Sequence, residues 1–391
     1  MAWSEVGRQA DVWAPGAEVA APVTRNSAID VLRGCAVSSV VLLHLNIRVP
    51  FAGGSLGRNL PTALSKVLFW SGYYGVMVFF VISGFLITSM SESRWGAFHG
   101  VRLGTFYRIR FARIAPALAL FVATQSLLQI AAIDGFSDPK PAASLSATIF
   151  SVLTFHMNWL EAKVGYLPGA WDVLWSLCVE ELFYFGFPLL ACLIRPRFLF
   201  YVVLVAFVAI APWARISPSS NEIWQDHSYL SCMGEIAIGC LAALWVRRHP
   251  PGKVTAGVLL GVGAALMALV LFFRRTVHSL GLSDVGLNVT VLSLGTAAVL
   301  AAVTAVPAWT RVTTHGLFSP LRWLGRNSYE VYLSHLFVIL PGVLLWKRFG
   351  TPSLIPVFYA LVVVLSAALG ALIAECFSKP LNQRLRAGHS S

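Results

Sequence analysis

The sequence predicts an all-α integral membrane protein, a bundle of about ten transmembrane helices around a central polar cavity. Hydrophobic residues fill 57% of the 391 positions and charged residues only 12%, whereas a soluble domain usually carries about 25% charged residues. The mean hydropathy is +0.73. The apolar residues form runs of about 20, the length at which a helix crosses the hydrocarbon core of a bilayer.

Ten such runs occur, and each is predicted to be one transmembrane helix. An eleventh apolar stretch, 143–159, is shorter and contains His156 and Asn158. We expect it to pack at one membrane face or to re-enter the bilayer without crossing. The ten predicted spans are 29–49, 68–90, 112–133, 173–194, 198–214, 229–247, 254–273, 288–307, 328–346 and 354–377.

The positions of the basic residues predict the orientation. With ten spans and a cytoplasmic N-terminus, most of the 29 Lys and Arg residues lie inside, whereas a crossing at 143–159 would divide them about evenly. The positive-inside rule therefore favours ten spans with both termini cytoplasmic. It also explains the net charge of +12 without a nucleic-acid partner. Residues 1–28 contain no apolar run, so we expect no cleavable signal peptide and a first span that directs insertion.

The first span carries two residues that are costly in a bilayer, Arg33 and His44. Their spacing of eleven positions puts both on one helix face, roughly 16 Å apart along the axis. A polar residue deep in a span usually faces the bundle interior and is functional, so His44 is a catalytic candidate, with a structural histidine as the alternative. Arg33 could also snorkel to the interface. Asp30, one turn earlier, is expected to pair with Arg33.

The second span and the connection after it supply further candidates. Ser83 lies beside Gly84 in "GYYGVMVFFVISGFLI", where close helix packing is the plain interpretation. In "FYRIRFARIAP", Arg110 and Arg113 are neighbours on one helical face and Arg108 is nearby. Arginine forks bind phosphate well, so this cluster could hold an anionic donor; topology anchoring is the alternative.

Two later spans carry ionisable groups. "WSLCVEELFYFGFP" contains Glu180 and Glu181, and we expect Glu180 to lie in the same half of the membrane as His44 and to orient its imidazole. A structural salt bridge is the alternative. "NSYEVYLSHLFVI" adds Tyr332 and a second buried histidine, His335. With the further intramembrane carboxylates Glu235 and Glu375, these groups predict a hydrated cavity.

Several kinds of chemistry lose support. The six cysteines lie in or beside apolar runs without a C-x-x-C spacing, which is typical of buried apolar thiols and not of a disulfide framework. No metal-binding spacing occurs, so no metal is expected. There is no Walker loop and no G-x-S-x-G elbow, which disfavours ATP-driven transport and ordinary serine hydrolysis.

Five ordered motifs give the chain a resemblance to a known family. It resembles the acyltransferase-3 family of bacterial membrane O-acyltransferases, which acylate surface sugars and some secondary metabolites. The motifs are "IDVLRGCAVSSVVLLH", "GVMVFFVISGFLIT", "RIRFARIAP", "WSLCVEELFY" and "YEVYLSH". They extend over nearly the whole chain.

The resemblance implies roles for residues at the matching positions. His44 is the implied essential histidine and Arg33 its motif partner, while Arg110 and Arg113 correspond to arginines thought to engage acyl-coenzyme A. Glu180, Ser83 and His335 fall on other motif positions. The implied organisation is a cytoplasmic tail over 1–28, an acyltransferase-3-like membrane domain over 29–380 and a cytoplasmic tail over 381–391.

The resulting hypothesis is a membrane O-acyltransferase in the bacterial cytoplasmic membrane. It would move an acyl group, with acetyl favoured, from acyl-CoA to a hydroxyl of a glycan or of a glycosylated small molecule. Its other expected partners are membrane lipid and proteins of a polysaccharide pathway. A secondary transporter with a buried His/Glu/Arg site is the alternative, although we find no internal repeat. A purely structural membrane protein would leave the many intramembrane ionisable groups unexplained.

Overall fold

The computed structural model describes residues 25–96, 100–194, 197–217 and 221–387, and no strand occurs in these ranges. Most of the predicted N-terminal tail and residues 388–391 of the C-terminal tail lie outside them. The helices in chain order are α1 Ser27–Arg48, α2 Ser55–Arg58, α3 Thr62–Phe69, α4 Gly72–Trp95, α5 Leu103–Ile130, α6 Leu145–Leu153, α7 Met157–Val164, α8 Leu174–Leu193, α9 Arg197–Arg215, α10 Glu222–His227, α11 Tyr229–Arg248, α12 Lys253–Phe272, α13 Arg274–Ser279, α14 Leu287–Ala305, α15 Thr310–Thr314, α16 Ser319–Arg326, α17 Ser328–Ser334, α18 Leu336–Phe349, α19 Ile355–Ile373 and α20 Lys379–Ala387.

The predicted set of membrane spans is confirmed. In the described part of the chain, nine helical stretches are long and apolar enough to cross a membrane, and α17 with α18 makes a tenth if the bent pair is one span. The stretch 143–159 forms the short helices α6 and α7, of nine and eight residues. Each would be roughly 13 Å long, which is too short to cross a hydrocarbon core of about 30 Å.

Helix α5 begins earlier than the predicted span. It starts at Leu103, whereas apolarity placed the span at 112–133. The additional turns contain Arg108 and Arg110, because arginine and aliphatic residues are good helix formers even where the segment is too polar to be recognised as a span. The three arginines of the motif therefore lie on a helix and not on a loop.

Helix α1 packs against α4 and α16. Its N-terminus is capped by Asn26, whose side-chain oxygen accepts hydrogen bonds from the backbone N–H groups of Ala28 and Ile29. Close approach to α16 depends on Gly325, because a Cβ there would overlap the carbonyl oxygen of Asp30. Backbone contact of this kind fixes the position of α1 in the bundle.

Helix α4 approaches α11 equally closely. A Cβ on Gly84 would overlap the carbonyl oxygen of Ile236, and one on Gly239 would overlap that of Val81. The close packing expected from Gly84 is therefore confirmed. Small residues are the usual means by which membrane helices bring their backbones together.

We call the side of the bundle where α1 begins, at Ser27, the entry side, and the side where it ends, at Arg48, the far side. On the entry side, Asp30 forms ion pairs with Arg25 (Nε to Oδ2, 2.8 Å) and Arg326 (Nε to Oδ2, 3.5 Å). On the far side, Arg274 Nη2 donates to Ser71 Oγ at 2.6 Å and so ties α13 to the start of α4.

Two carboxylates that suggested a hydrated cavity have other partners. Glu235 on α11 is fully buried and pairs with Arg215 on α9, Nη2 to Oε1, at 2.5 Å. Arg215 Nη1 also donates to the Gly286 carbonyl. Glu375 pairs with Lys379 one turn later and is exposed. The first pair joins two helices and the second lies at the bundle surface, so neither carboxylate supports the cavity.

Candidate active site

His44 lies against a second histidine inside the bundle. Its ring on α1 is half-buried, and the ring of His335, at the break between α17 and α18, lies 5.1 Å away between centroids with an angle of 50° between planes. His335 is 0% exposed. The contact puts at least one face of the His44 ring against the interior of the bundle, as the predicted inward orientation requires.

The contacts of His335 define its tautomer. Nδ1 lies 2.6 Å from the backbone oxygen of Tyr332, and because a carbonyl oxygen can only accept, Nδ1 carries the proton. Nε2 is then the unprotonated nitrogen, and it is buried without a hydrogen-bond partner. The pair of rings therefore includes an unused basic nitrogen at the point where the span bends by 42°.

Tyr332 connects this histidine pair to α8. Its hydroxyl donates to the backbone oxygen of Val173 at 2.9 Å and lies 2.6 Å from Ser176 Oγ. Ser176 Oγ also lies within hydrogen-bonding distance of the Val173 carbonyl, at 3.4 Å, so the two hydroxyl groups and this carbonyl form one hydrogen-bonded cluster. Two helices are thus held together beside His335 by the hydroxyl groups of half-buried Tyr332 and buried Ser176.

Glu180 belongs to a second group of side chains. Its Oε1 accepts hydrogen bonds from Ser83 Oγ at 2.5 Å and from the Tyr184 hydroxyl. The Arg110 guanidinium lies over the Tyr184 ring, 3.3 Å from its centroid. These contacts bring α4, α5 and α8 together around one carboxylate, with an arginine on its aromatic neighbour.

The expected pairing of Glu180 with His44 is wrong. Among the described residues no hydrogen bond or ion pair joins them, because Glu180 is held by Ser83 and Tyr184 while His44 packs on His335. Glu181 has a buried oxygen, Oε1, without a hydrogen-bond partner and lies within electrostatic range of Arg110 and Arg113. Helical spacing placed both acids in the bundle but could not reveal their partners.

The expected pairing of Arg33 with Asp30 is also wrong. Arg33 donates to Ser328 Oγ from Nε at 3.1 Å and from Nη2 at 2.9 Å. Asp30 points to Arg25, which binds both of its oxygens, and to Arg326. These two cations come from outside α1, so the spacing of Asp30 and Arg33 within the helix did not decide the pairing.

The three arginines of α5 differ in exposure. Arg108 and Arg113 are exposed, and Arg110 is half-buried with its Nε unpaired. Arg113 lies within electrostatic range of Arg33 and Glu330. Arg33 and Arg113 therefore place positive charge from two helices together, in the part of the bundle that also holds Glu180 and Glu181.

Sequence reasoning missed Arg48. It lies one helical turn after His44, and its Nη1 donates to the His44 backbone oxygen at 2.9 Å. It is also within electrostatic range of His335 and of Asp172, which lies in the turn before α8. Its i,i+4 spacing from His44 was the available signal, since residues four apart share a helix face.

Together these observations define a class: a multi-pass helical membrane protein with paired histidines inside the bundle and arginines beside buried carboxylates. The chain belongs to the acyltransferase-3 family, whose model for an acyltransferase domain matches residues 26–375. The match includes every candidate residue discussed above. It gives no support to the transporter alternative.

Curated relatives show the same similarity. The chain is 27% identical over 336 residues to the peptidoglycan O-acetyltransferase OatA of Listeria monocytogenes, a match that covers 80% of this chain and 49% of the relative. It is 23% identical over 371 residues to the O-acetyltransferase OatA of Staphylococcus aureus, a match that covers 89% of this chain and 56% of the relative. It is 26% identical over 377 residues to the putative peptidoglycan O-acetyltransferase YrhL of Bacillus subtilis, with 90% of this chain and 54% of the relative covered.

The chain thus spans about half the length of these curated relatives. No solved structure matches it.

Proposed function

We propose that the protein is a membrane O-acyltransferase that moves an acetyl group from acetyl-CoA to a hydroxyl of a cell-surface or exported glycan. The observation that carries the proposal is the contact between His44 and His335 inside a bundle of this family. The names of the relatives, peptidoglycan O-acetyltransferases, support a glycan acceptor and an acetyl group.

In the proposed reaction the acceptor hydroxyl attacks the thioester carbonyl. The new C–O bond forms as the C–S bond breaks, and the products are the O-acetyl ester and free coenzyme A. His44 removes the hydroxyl proton, which then passes to the departing thiolate, so protons balance over one turnover. His335 is a positioning residue that supports the His44 ring from the buried side.

The donor is proposed to bind through its phosphates. Arg110 and Arg113, with Arg108 nearby, offer guanidinium groups that suit phosphate oxygens. Arg33 adds charge at the same place, since it interacts electrostatically with Arg113. Arg33 and His44 are roughly 16 Å apart along α1 by helix rise, a distance that the extended arm of coenzyme A would cross through a central polar cavity.

The glutamate group is proposed to shape the donor site and not to act as a base. Glu180 is hydrogen-bonded to Tyr184, whose ring lies under Arg110. The carboxylate therefore fixes the aromatic surface on which the guanidinium rests. An arginine that is already oriented loses less side-chain entropy when it binds phosphate.

The proposed location is the bacterial cytoplasmic membrane with both termini in the cytoplasm, as the positive-inside rule favours. The entry side is then cytoplasmic, where acetyl-CoA is made. The far side, with Arg48, faces outward, where an exported glycan would be acylated.

The test is an assay of purified protein in lipid nanodiscs with radiolabelled acetyl-CoA and oligosaccharide acceptors. Wild-type protein should transfer label to the glycan, and His44→Ala should lose transfer while still inserting and folding. His278→Ala is the matched control, because that histidine has 73% of its side chain exposed on α13. Undiminished transfer by His44→Ala, or no transfer from any acyl-CoA tested, would overturn the proposal.

A further inference from the structure

Three side chains from separate segments meet on the far side of the bundle. Glu161 lies on α7, Asp172 in the turn before α8, and His227 at the end of α10. One donor atom of each lies within 4.8 Å of those of the other two, and Glu161 Oε2 is 4.0 Å from His227 Nδ1. No sequence spacing predicted this group, since the chain brings it together only on folding.

Each of the three residues has a buried polar atom without a hydrogen-bond partner: Glu161 Oε2, Asp172 Oδ1 and His227 Nδ1. Glu161 is 0% exposed and His227 8% exposed. Two carboxylate oxygens and an imidazole nitrogen that converge without hydrogen-bond partners form an arrangement that a cation would satisfy.

The surroundings hold the group in position. The His227 ring stacks on Trp175 with 4.0 Å between centroids and 4° between planes. Asn158 Nδ2 donates to the backbone oxygens of His227 at 2.6 Å and Trp175 at 2.9 Å. In a metal site, contacts from surrounding residues hold the ligand side chains in a fixed orientation, and these contacts would do so here.

The basic side chain that interacts electrostatically with the group has its hydrogen bond elsewhere. Arg48 interacts electrostatically with Asp172, but its guanidinium is directed to the His44 backbone oxygen. Within the described residues, no Lys or Arg forms an ion pair with Glu161 or Asp172. The two carboxylates and the imidazole of this group are therefore available to bind a cation.

We propose that Glu161, Asp172 and His227 bind one divalent transition-metal ion. Two carboxylate oxygens and one imidazole nitrogen suit Zn²⁺ or Mn²⁺. A tetrahedral Zn²⁺ site has donor atoms about 3.3 Å apart, so the side chains would draw together by roughly 1 Å on binding. Three protein ligands leave at least one coordination position open. The ion would join α7, the turn before α8 and the end of α10. Arg48 interacts electrostatically with Asp172 and hydrogen-bonds to the His44 backbone oxygen.

The test measures metal directly and does not depend on acyl transfer. The purified full chain in nanodiscs is stripped with EDTA and titrated with Zn²⁺ and, separately, with Mn²⁺. Bound ion is counted by mass spectrometry after gel filtration, and the unfolding temperature is recorded at each concentration. We expect one ion per chain and an unfolding temperature that rises with metal concentration, since a ligand of the native state stabilises it.

The variants are chosen to keep the fold. Glu161→Gln and Asp172→Asn preserve side-chain shape, and each should weaken metal affinity at least tenfold. Glu222→Gln is the matched control, because Glu222 is exposed on α10, and it should bind as wild type does. Absence of a stoichiometric ion in wild-type protein, or equal affinity in Glu161→Gln and wild type, would overturn the proposal.

Discussion

The imidazole rings of His44 and His335 lie 5.1 Å apart between centroids, although they belong to the first and the ninth predicted spans. His335 keeps one nitrogen on the Tyr332 carbonyl and leaves the other unpaired. The proposed base is therefore supported by a second ring and not by a carboxylate. This arrangement limits how far the His44 ring can turn, which is what a base acting on a bound hydroxyl needs.

His335 can be tested separately from His44. We expect His335→Gln, which replaces the imidazole with a polar but non-basic amide, to lower kcat on the order of 100-fold and to leave KM for acetyl-CoA nearly unchanged. Steady-state transfer assays check this, with folding confirmed by gel filtration. A raised KM and a lowered kcat, together with lost stability, would show instead that His335 acts through the fold.

Arg110 is predicted to act on donor binding. Arg110→Gln removes the guanidinium over Tyr184, and we expect KM for acetyl-CoA to rise about tenfold, because a charge-assisted hydrogen bond contributes about 1.5–3 kcal/mol. The effect should shrink at high salt. Arg102→Gln is the control, since Arg102 is exposed at the start of α5. An unchanged KM in Arg110→Gln would remove this arginine from the donor site.

The buried pair of Arg215 and Glu235 should contribute strongly to stability. Glu235→Gln leaves the Arg215 charge buried without its counter-ion, and breaking a buried pair in this way costs about 3–5 kcal/mol. Denaturant unfolding in detergent measures the loss. The double variant Arg215→Met with Glu235→Met should recover much of it, because both buried charges are then gone. A single variant as stable as wild type would contradict this.

Gly325 is predicted to be essential for the contact between α1 and α16. Gly325→Ala adds a Cβ that overlaps the Asp30 carbonyl oxygen, and separating the helices should cost about 1–3 kcal/mol. Thermal unfolding checks the change. Gly104→Ala is the control, because no atom lies within 4 Å of the position where its Cβ would be, and alanine is the better helix former there by about 1 kcal/mol.

The same local rules gave right and wrong answers within one helix. Hydropathy and the cost of a buried imidazole identified α1 and placed His44 on its inner face. The i,i+3 rule then paired Asp30 with Arg33, whereas Asp30 binds Arg25 and Arg326. Rules about spacing describe neighbours on one helix, and they are silent about cations that other segments bring to the same carboxylate.

The sequence by itself determined the class of the protein, the ten spans, the non-crossing stretch 143–159 and the five motifs of the family. Burial in a bilayer needs runs of apolar residues, and such runs are local and can be read directly. Only the tertiary structure decided that His44 meets His335, that Glu180 is held by Ser83 and Tyr184, and that Glu161, Asp172 and His227 converge. Side-chain partners across helices depend on how whole helices pack, and no local pattern carries that information.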